Sequence, residues 1–137
     1  EALKAAEALC EENGYRFTES RRQVFNALIS SHKAQSAKDL MQKIANKQPP
    51  ITYRALEFFT EIGIVHYIGS LNSYIACTHT HEDTHTPQLL ICKTCSDVKE
   101  ICISNPITSL IKAAKEKKFM PLETHIEVLG LCAECQH

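Results

Sequence analysis

With 137 residues, 44% of them hydrophobic, and a net charge of −1, the chain has the composition of an ordinary globular protein, long enough for one domain or two small ones. No apolar run approaches the roughly 20 residues of a membrane span and no charged-then-apolar leader opens the sequence, which argues against a membrane or secreted protein and leads us to expect a cytoplasmic one. The seven cysteines make an odd count for a disulfide framework and include two Cys-x-x-Cys pairs, a pattern that indicates metal in a reducing compartment.

Residues 2–12 are predicted to form a first helix, closed by Gly14; because the chain starts at Glu1, a start methionine and any residues before it are expected to be missing. Thr18 can cap a second helix, along which Val24, Phe25 and Leu28 recur at helical spacing. Ser36-Ala-Lys-Asp39 reads as a capping box before a third helix through about Ala45. Pro49 and Pro50 interrupt the chain, and Pro50 suits the first turn of a fourth helix, from Ile51 to about Ile62 and ended by Gly63. Residues 64–68 and 73–77 read as two strands around the turn Gly69-Ser-Leu-Asn72. Helices followed by a β-hairpin predict a winged helix-turn-helix domain over residues 1–77.

Residues 78–87, Thr-His-Thr-His-Glu-Asp-Thr-His-Thr-Pro, are polar and lack periodicity, so they read as a hinge or linker. A strand at 88–92, a cysteine knuckle and a strand at 98–103 follow. Asn105-Pro106 opens a helix to about Lys118, and a strand at 122–129 leads to the second knuckle. The expected fold class is therefore α+β: an N-terminal winged helix-turn-helix domain followed by a small, zinc-stapled α/β domain over residues 88–137.

Cys92 with Cys95 and Cys132 with Cys135 each present two thiolates from a tight turn. Two such knuckles predict a tetrahedral four-sulfur zinc site, which leaves no open position for water and is therefore structural. The 36 residues between the pairs exceed the usual zinc-ribbon spacing, so the site ties together distant elements.

From Gly14 to Leu56 eight basic residues face only Glu19 and Asp39, leaving the rest of the chain net acidic. A basic block beside an acidic, metal-rich block suggests halves with different partners. In a helix-turn-helix the second helix enters the major groove, and here it begins Thr52-Tyr53-Arg54. Arg54 can fork onto the two acceptors of guanine, and Tyr53 can lie against thymine methyls or a phosphate. Thr52, Arg21 and Arg22 suit phosphate contacts, and Arg16 is counted among the DNA-binding residues with them. The competing readings are packing of Tyr53 under the wing and an ion pair of Arg54 with Glu57 or Glu61. Leu56, Phe59 and Ile62, on the opposite face, read as core.

A second metal site is suggested by the remaining donors. If the turn pairs Tyr67 with Tyr74, His66 opposes Ile75, and Cys77 is its diagonal neighbour on the same face. The histidines of the linker, His79, His81 and His85, can reach that place. A closed set containing sulfur and imidazole describes zinc and sensing rather than catalysis. His81-Glu-Asp-Thr-His85 matches the zinc-protease signature, but that motif works only on a helix, and threonines and Pro87 flank it here. The P-C-x-x-C that zinc deaminases pair with H-x-E is missing, and a thioredoxin-like enzyme would use a single Cys-x-x-Cys. No enzyme is expected, nor a small-molecule substrate.

The sequence resembles the ferric uptake regulator family, and within it the zinc uptake regulators of Gram-negative bacteria. The resemblance covers nearly the whole chain. It rests on Gly14-x-Arg16-x-Thr18-x-x-Arg21, Pro50-Ile-Thr-Tyr-Arg-Ala-Leu56, Gly63-Ile-Val-His66 and Asn72-Ser-Tyr-Ile-Ala-Cys77. It continues through Thr84-His-Thr86, Ile91-Cys-x-x-Cys95, Val98-Lys-Glu100 and Gly130-Leu-Cys-x-x-Cys135.

The resemblance implies a homodimer, with residues 88–137 as its dimerisation domain, that binds palindromic double-stranded operator DNA and represses zinc-uptake genes when metal is bound. It implies two zinc ions per subunit: a structural one on Cys92, Cys95, Cys132 and Cys135, and a regulatory one on His66, Cys77, His85 and Glu100. The iron-sensing branch carries a His-His-x-Asp-His run before the first knuckle, which this chain lacks, and Cys77 as a soft ligand further favours zinc. His79 and His81 fit no family position and could compete with His85, and His125 is out of register with the histidine that iron sensors use. Cys10 and Cys102 read as buried apolar thiols. The rival readings are an iron- or peroxide-responsive regulator of the same family, and a zinc buffer or metallochaperone without DNA function.

Overall fold

Among the described residues, four short helices and a hairpin build the first part of the molecule, and several of the helix boundaries follow from local signals. In α1 (Ala2–Glu12) Ala6 and Cys10 turn inward, and the chain leaves through Gly14 at φ +75°, a left-handed conformation that glycine adopts without strain. Thr18 caps α2 (Glu19–Ile29), its hydroxyl accepting from the Arg21 amide at 3.2 Å. Before α3 (Ala37–Lys43) the capping box is reciprocal: Ser36 Oγ accepts from the Asp39 amide at 3.1 Å, and Asp39 accepts from the Ser36 amide at 3.0 Å. This helix ends two residues before the expected Ala45, which with residues 46–47 lies outside the described residues. The fourth helix, α4 (Pro49–Glu61), starts two residues earlier than predicted. Both prolines fit its first turn, where no amide hydrogen is needed.

The computed structural model describes residues 2–44, 48–77, 88–101 and 103–136. Its chain divides into two units, Glu1–Cys77 and Thr78–His137. The predicted hinge at 78–87, with His79, His81 and His85, lies outside the described residues, as does Cys102. Among the described residues no helix is long and apolar enough to cross a membrane.

In the first unit, β1 (Val65–Ile68) and β2 (Ser73–Ala76) form an antiparallel hairpin with Tyr67 opposite Tyr74 and His66 opposite Ile75, the register expected from the turn. Gln35, between α2 and α3, adds an isolated bridge to Tyr74. The core centres on Phe59, fully buried, with ring centroids of Phe25, Phe58 and Phe17 at 5.3, 5.6 and 6.2 Å. Val24, Leu28, Leu40 and Leu56 close around it, and Ile62 packs against this core while remaining partly exposed.

In the second unit, β3 (Gln88–Cys92) is the middle strand, antiparallel to β4 (Val98–Ile101) and parallel to β5 (Ile126–Gly130). The helix α5 (Ser104–Glu116) lies between β4 and β5 in the chain, the crossover that parallel pairing requires. Two strands are shorter than predicted. β4 stops at Ile101, and the carbonyl of Ile103, at the start of α5, accepts from the Gln88 side-chain amide. β5 begins at Ile126 rather than 122, because its partner β3 has five residues and pairs Gln88 with Ile126 at one end and Cys92 with Gly130 at the other.

Candidate metal centre and nucleic-acid interface

The end of β3 and the end of β5 deliver the two knuckles to one place. Cys92 pairs with Gly130 across the sheet, and the Lys93 amide donates to the Gly130 carbonyl at 2.9 Å. The first knuckle closes through the Ser96 amide on the Cys92 carbonyl at 3.0 Å, with Ser96 in the left-handed region at φ +64°. The second closes through the Cys135 amide on the Cys132 carbonyl, also at 3.0 Å. The ligand atoms of Cys92, Cys95, Cys132 and Cys135 all lie within 4.8 Å of one another. Cys95 Sγ and Cys132 Sγ are 3.8 Å apart. A tetrahedron of zinc–sulfur bonds of about 2.3 Å has edges of about 3.8 Å, so these four residues fit zinc.

The thiols already differ in acidity. Hydrogen bonds from the backbone of Cys132, then of Cys95, bring Cys92 down to about 6. The neighbouring side chains of Cys132 and Cys92 push Cys135 up to about 12. Four sulfurs this close cannot all be anionic without a cation among them, and a metal ion replaces the protons they would otherwise keep.

In the first unit His66 is 8% exposed on β1, and Cys77 follows β2 with its amide donating to the Ile64 carbonyl at 2.8 Å. Donor atoms of His66 and Cys77 come within 4.8 Å of each other. The diagonal placement expected from the hairpin register accounts for this approach. Glu100 is half-buried on β4 of the second unit, and His85 falls outside the described residues.

α4 presents its outer face as predicted for Tyr53, 49% exposed, and for Arg54, also exposed. Among the described residues Arg54 forms no ion pair with Glu57 or Glu61. Tyr53 is not packed away under the wing, although it is close enough to act on Tyr74. Burial first, then Tyr67, Tyr53 and Glu57, raise the Tyr74 phenol above its ordinary value.

Thr52 corrects the sequence reading. It is fully buried, one turn before Leu56 and two before Phe59 on the inner face of α4, so it cannot touch a phosphate. Among the described residues its hydroxyl has no hydrogen-bond partner. Arg21 and Arg22, expected on phosphates, are engaged inside the unit. The Arg21 guanidinium lies 3.6 Å from the Phe58 ring centroid and donates to the Arg16 carbonyl. Arg22 pairs with Glu7 at 2.8 Å and reaches Glu19 at 3.8 Å, and the hydrogen bond to Glu7 raises its pKa further. Glu7, fifteen positions before Arg22, was not singled out from sequence; an acidic residue on the inner side of α1 was the available signal. Arg16 remains exposed.

Comparison with known proteins gives consistent matches along the chain. The sequence profile of the ferric uptake regulator family matches residues 12–129. The zinc uptake regulation protein of Escherichia coli (strain K12) is 35% identical over 139 residues, covering 98% of this chain and 81% of the relative. A solved zinc uptake regulator complexed with zinc and DNA superposes with a TM-score of 0.92 at 35% identity, covering 97% of this chain and 91% of the other. The crystal structure of holo XcZur gives a TM-score of 0.89 at 34% identity, covering 97% and 95%.

Proposed function

The chain belongs to the ferric uptake regulator family, and from that premise we propose that it is a zinc-responsive repressor that binds palindromic operator DNA as a homodimer and controls zinc-uptake genes. The observation that carries this reading is the approach of a buried imidazole, His66, and a thiol, Cys77, on one face of the wing. A sulfur and nitrogen pair prefers zinc to the harder iron(II) ion, and it belongs to the same unit as the exposed Tyr53 and Arg54. The name of the related regulator solved with zinc and DNA agrees.

Two zinc ions per subunit are proposed. The structural one would be held by Cys92, Cys95, Cys132 and Cys135, and the regulatory one by His66, Cys77, His85 and Glu100. His66 and Cys77 of the wing, His85 of the hinge and Glu100 of the second unit would together hold the regulatory ion, which would supply a cross-link restricting the angle between the parts that carry them. In a symmetric dimer that angle sets the distance between the two copies of α4, which must match half-sites one helical turn apart. Zinc affinity and operator affinity then raise each other by the same factor. Tyr53 and Arg54 read bases and Arg16 holds a phosphate, while Arg21 and Arg22 brace α2 against α1 and α4. Exposed Phe119, Met120 and Leu122, at 66%, 79% and 87%, support a second copy as the partner of the C-terminal unit.

Changing Cys77 to serine tests the assignment. We expect a folded dimer with its structural zinc intact and no gain in operator affinity on adding zinc. A variant that still responds fully would remove Cys77 from the sensor.

A further inference from the structure

Gln35 is 5% exposed and lies in the short segment between α2 and α3. Its backbone amide donates to the Tyr74 carbonyl at 3.0 Å, and its carbonyl accepts from the Tyr74 amide at 2.7 Å, the two bonds of an isolated bridge to β2. Its side-chain Nε2 donates to the carbonyls of Ala27 and Leu28, at 3.2 and 3.3 Å, in the last turn of α2. Its Oε1 accepts from Lys43 Nζ in the last turn of α3, and the same ammonium reaches Ser30 Oγ at 3.4 Å. One residue thus joins the ends of two helices to the wing.

The wing residue it holds, Tyr74, packs against the core to which α4 contributes Ala55, Leu56 and Phe59. The Tyr74 ring lies tilted by 53° against Tyr67 with centroids 5.1 Å apart, and after burial and Tyr67, Tyr53 and Glu57 of α4 add to the rise of its phenol pKa. An apolar side chain of similar volume would fill the same place without needing the Lys43 ammonium. A fully satisfied buried amide adds fixed direction, since each hydrogen bond constrains its rotamer. We infer that Gln35 is a positioning residue for base recognition: through Tyr74 it fixes the wing on the core side of α4, and so relative to the exposed face of that helix, which carries Tyr53 and Arg54. This rests on the reading of the first unit as a DNA-binding domain.

The test uses the full chain loaded with zinc and two labelled duplexes of equal length, one selected by the protein from a randomised pool and one scrambled. For Gln35→Met the ratio of the two affinities should fall about ten-fold, the size of one mismatched base pair. Binding to the scrambled duplex and its salt dependence should stay at the wild-type level, because phosphate contacts persist. Leu40→Val, a core change in the same unit, should lower Tm and leave the ratio alone. An unchanged ratio in Gln35→Met, or an equal fall in Leu40→Val, overturns the assignment. Should Gln35→Met not fold, Lys43→Met decides. A lower ratio with unchanged scrambled binding supports positioning, whereas loss on both duplexes with a flatter salt slope makes Lys43 a phosphate contact and overturns it. A wild-type protein that does not discriminate the duplexes overturns the DNA-binding reading itself.

Discussion

Cys95 and Cys132, 37 positions apart in the chain, hold their sulfurs 3.8 Å from each other, the edge of a zinc–thiolate tetrahedron. Parallel pairing of β3 with β5 brings this about, because it places Cys92 beside Gly130 and sends both knuckles off the same end of the sheet. The candidate metal centre is thus a continuation of the strand register.

Zinc uptake by these thiols should be strongly pH-dependent. At pH 7 Cys92, at about 6, is already mostly thiolate, whereas Cys135, at about 12, and Cys95, raised above its ordinary value, keep their protons. Loading the metal-stripped protein near pH 7 must then release at least about two protons per zinc. Affinity should rise with pH, and below about 6 the protonation of Cys92 should weaken it further. A pH-indicator titration during zinc addition measures this. Uptake without proton release would mean that the thiolates are not the ligands.

Thr52→Val should be neutral or stabilising. The hydroxyl is fully buried with no partner among the described residues, and its removal relieves a desolvation cost of about 1–3 kcal/mol. Thermal unfolding should show an unchanged or higher Tm, and operator affinity should be kept. A large loss of DNA affinity at unchanged stability would return Thr52 to the phosphate contacts.

Arg54 and Arg16 should separate by their effects on different sequences. Arg54→Ala should cost about 1–3 kcal/mol at one base position and relax the preference there. Arg16→Ala should weaken binding to every duplex and reduce the salt slope by about 1. Binding measured over a set of single-base operator variants and three salt concentrations distinguishes them. Identical profiles for the two variants would contradict the division of roles.

Much of this was legible in the sequence because the signals are local. The Ser36–Asp39 capping box, the pairing of Tyr67 with Tyr74 and both cysteine knuckles depend on residues within a few positions of each other. Thr52 was misread although the helical phase of 52, 55, 56 and 59 placed it inside; its polar side chain suggested a role that burial denies. The engagement of Arg21 and Arg22 depends on Phe58 and Glu7, which only tertiary packing brings near. The late start of β5 likewise depends on a strand 34 residues or more earlier in the chain, so no local pattern marks it.

The most direct test of zinc-controlled DNA binding is a titration of labelled palindromic operator with protein carrying only its structural zinc. It is run at buffered free zinc and, in parallel, at buffered free iron(II). Tight binding that appears only with zinc, at free concentrations too low for non-specific effects, is the predicted result. An equal response to iron(II), or no binding with either metal, would contradict it.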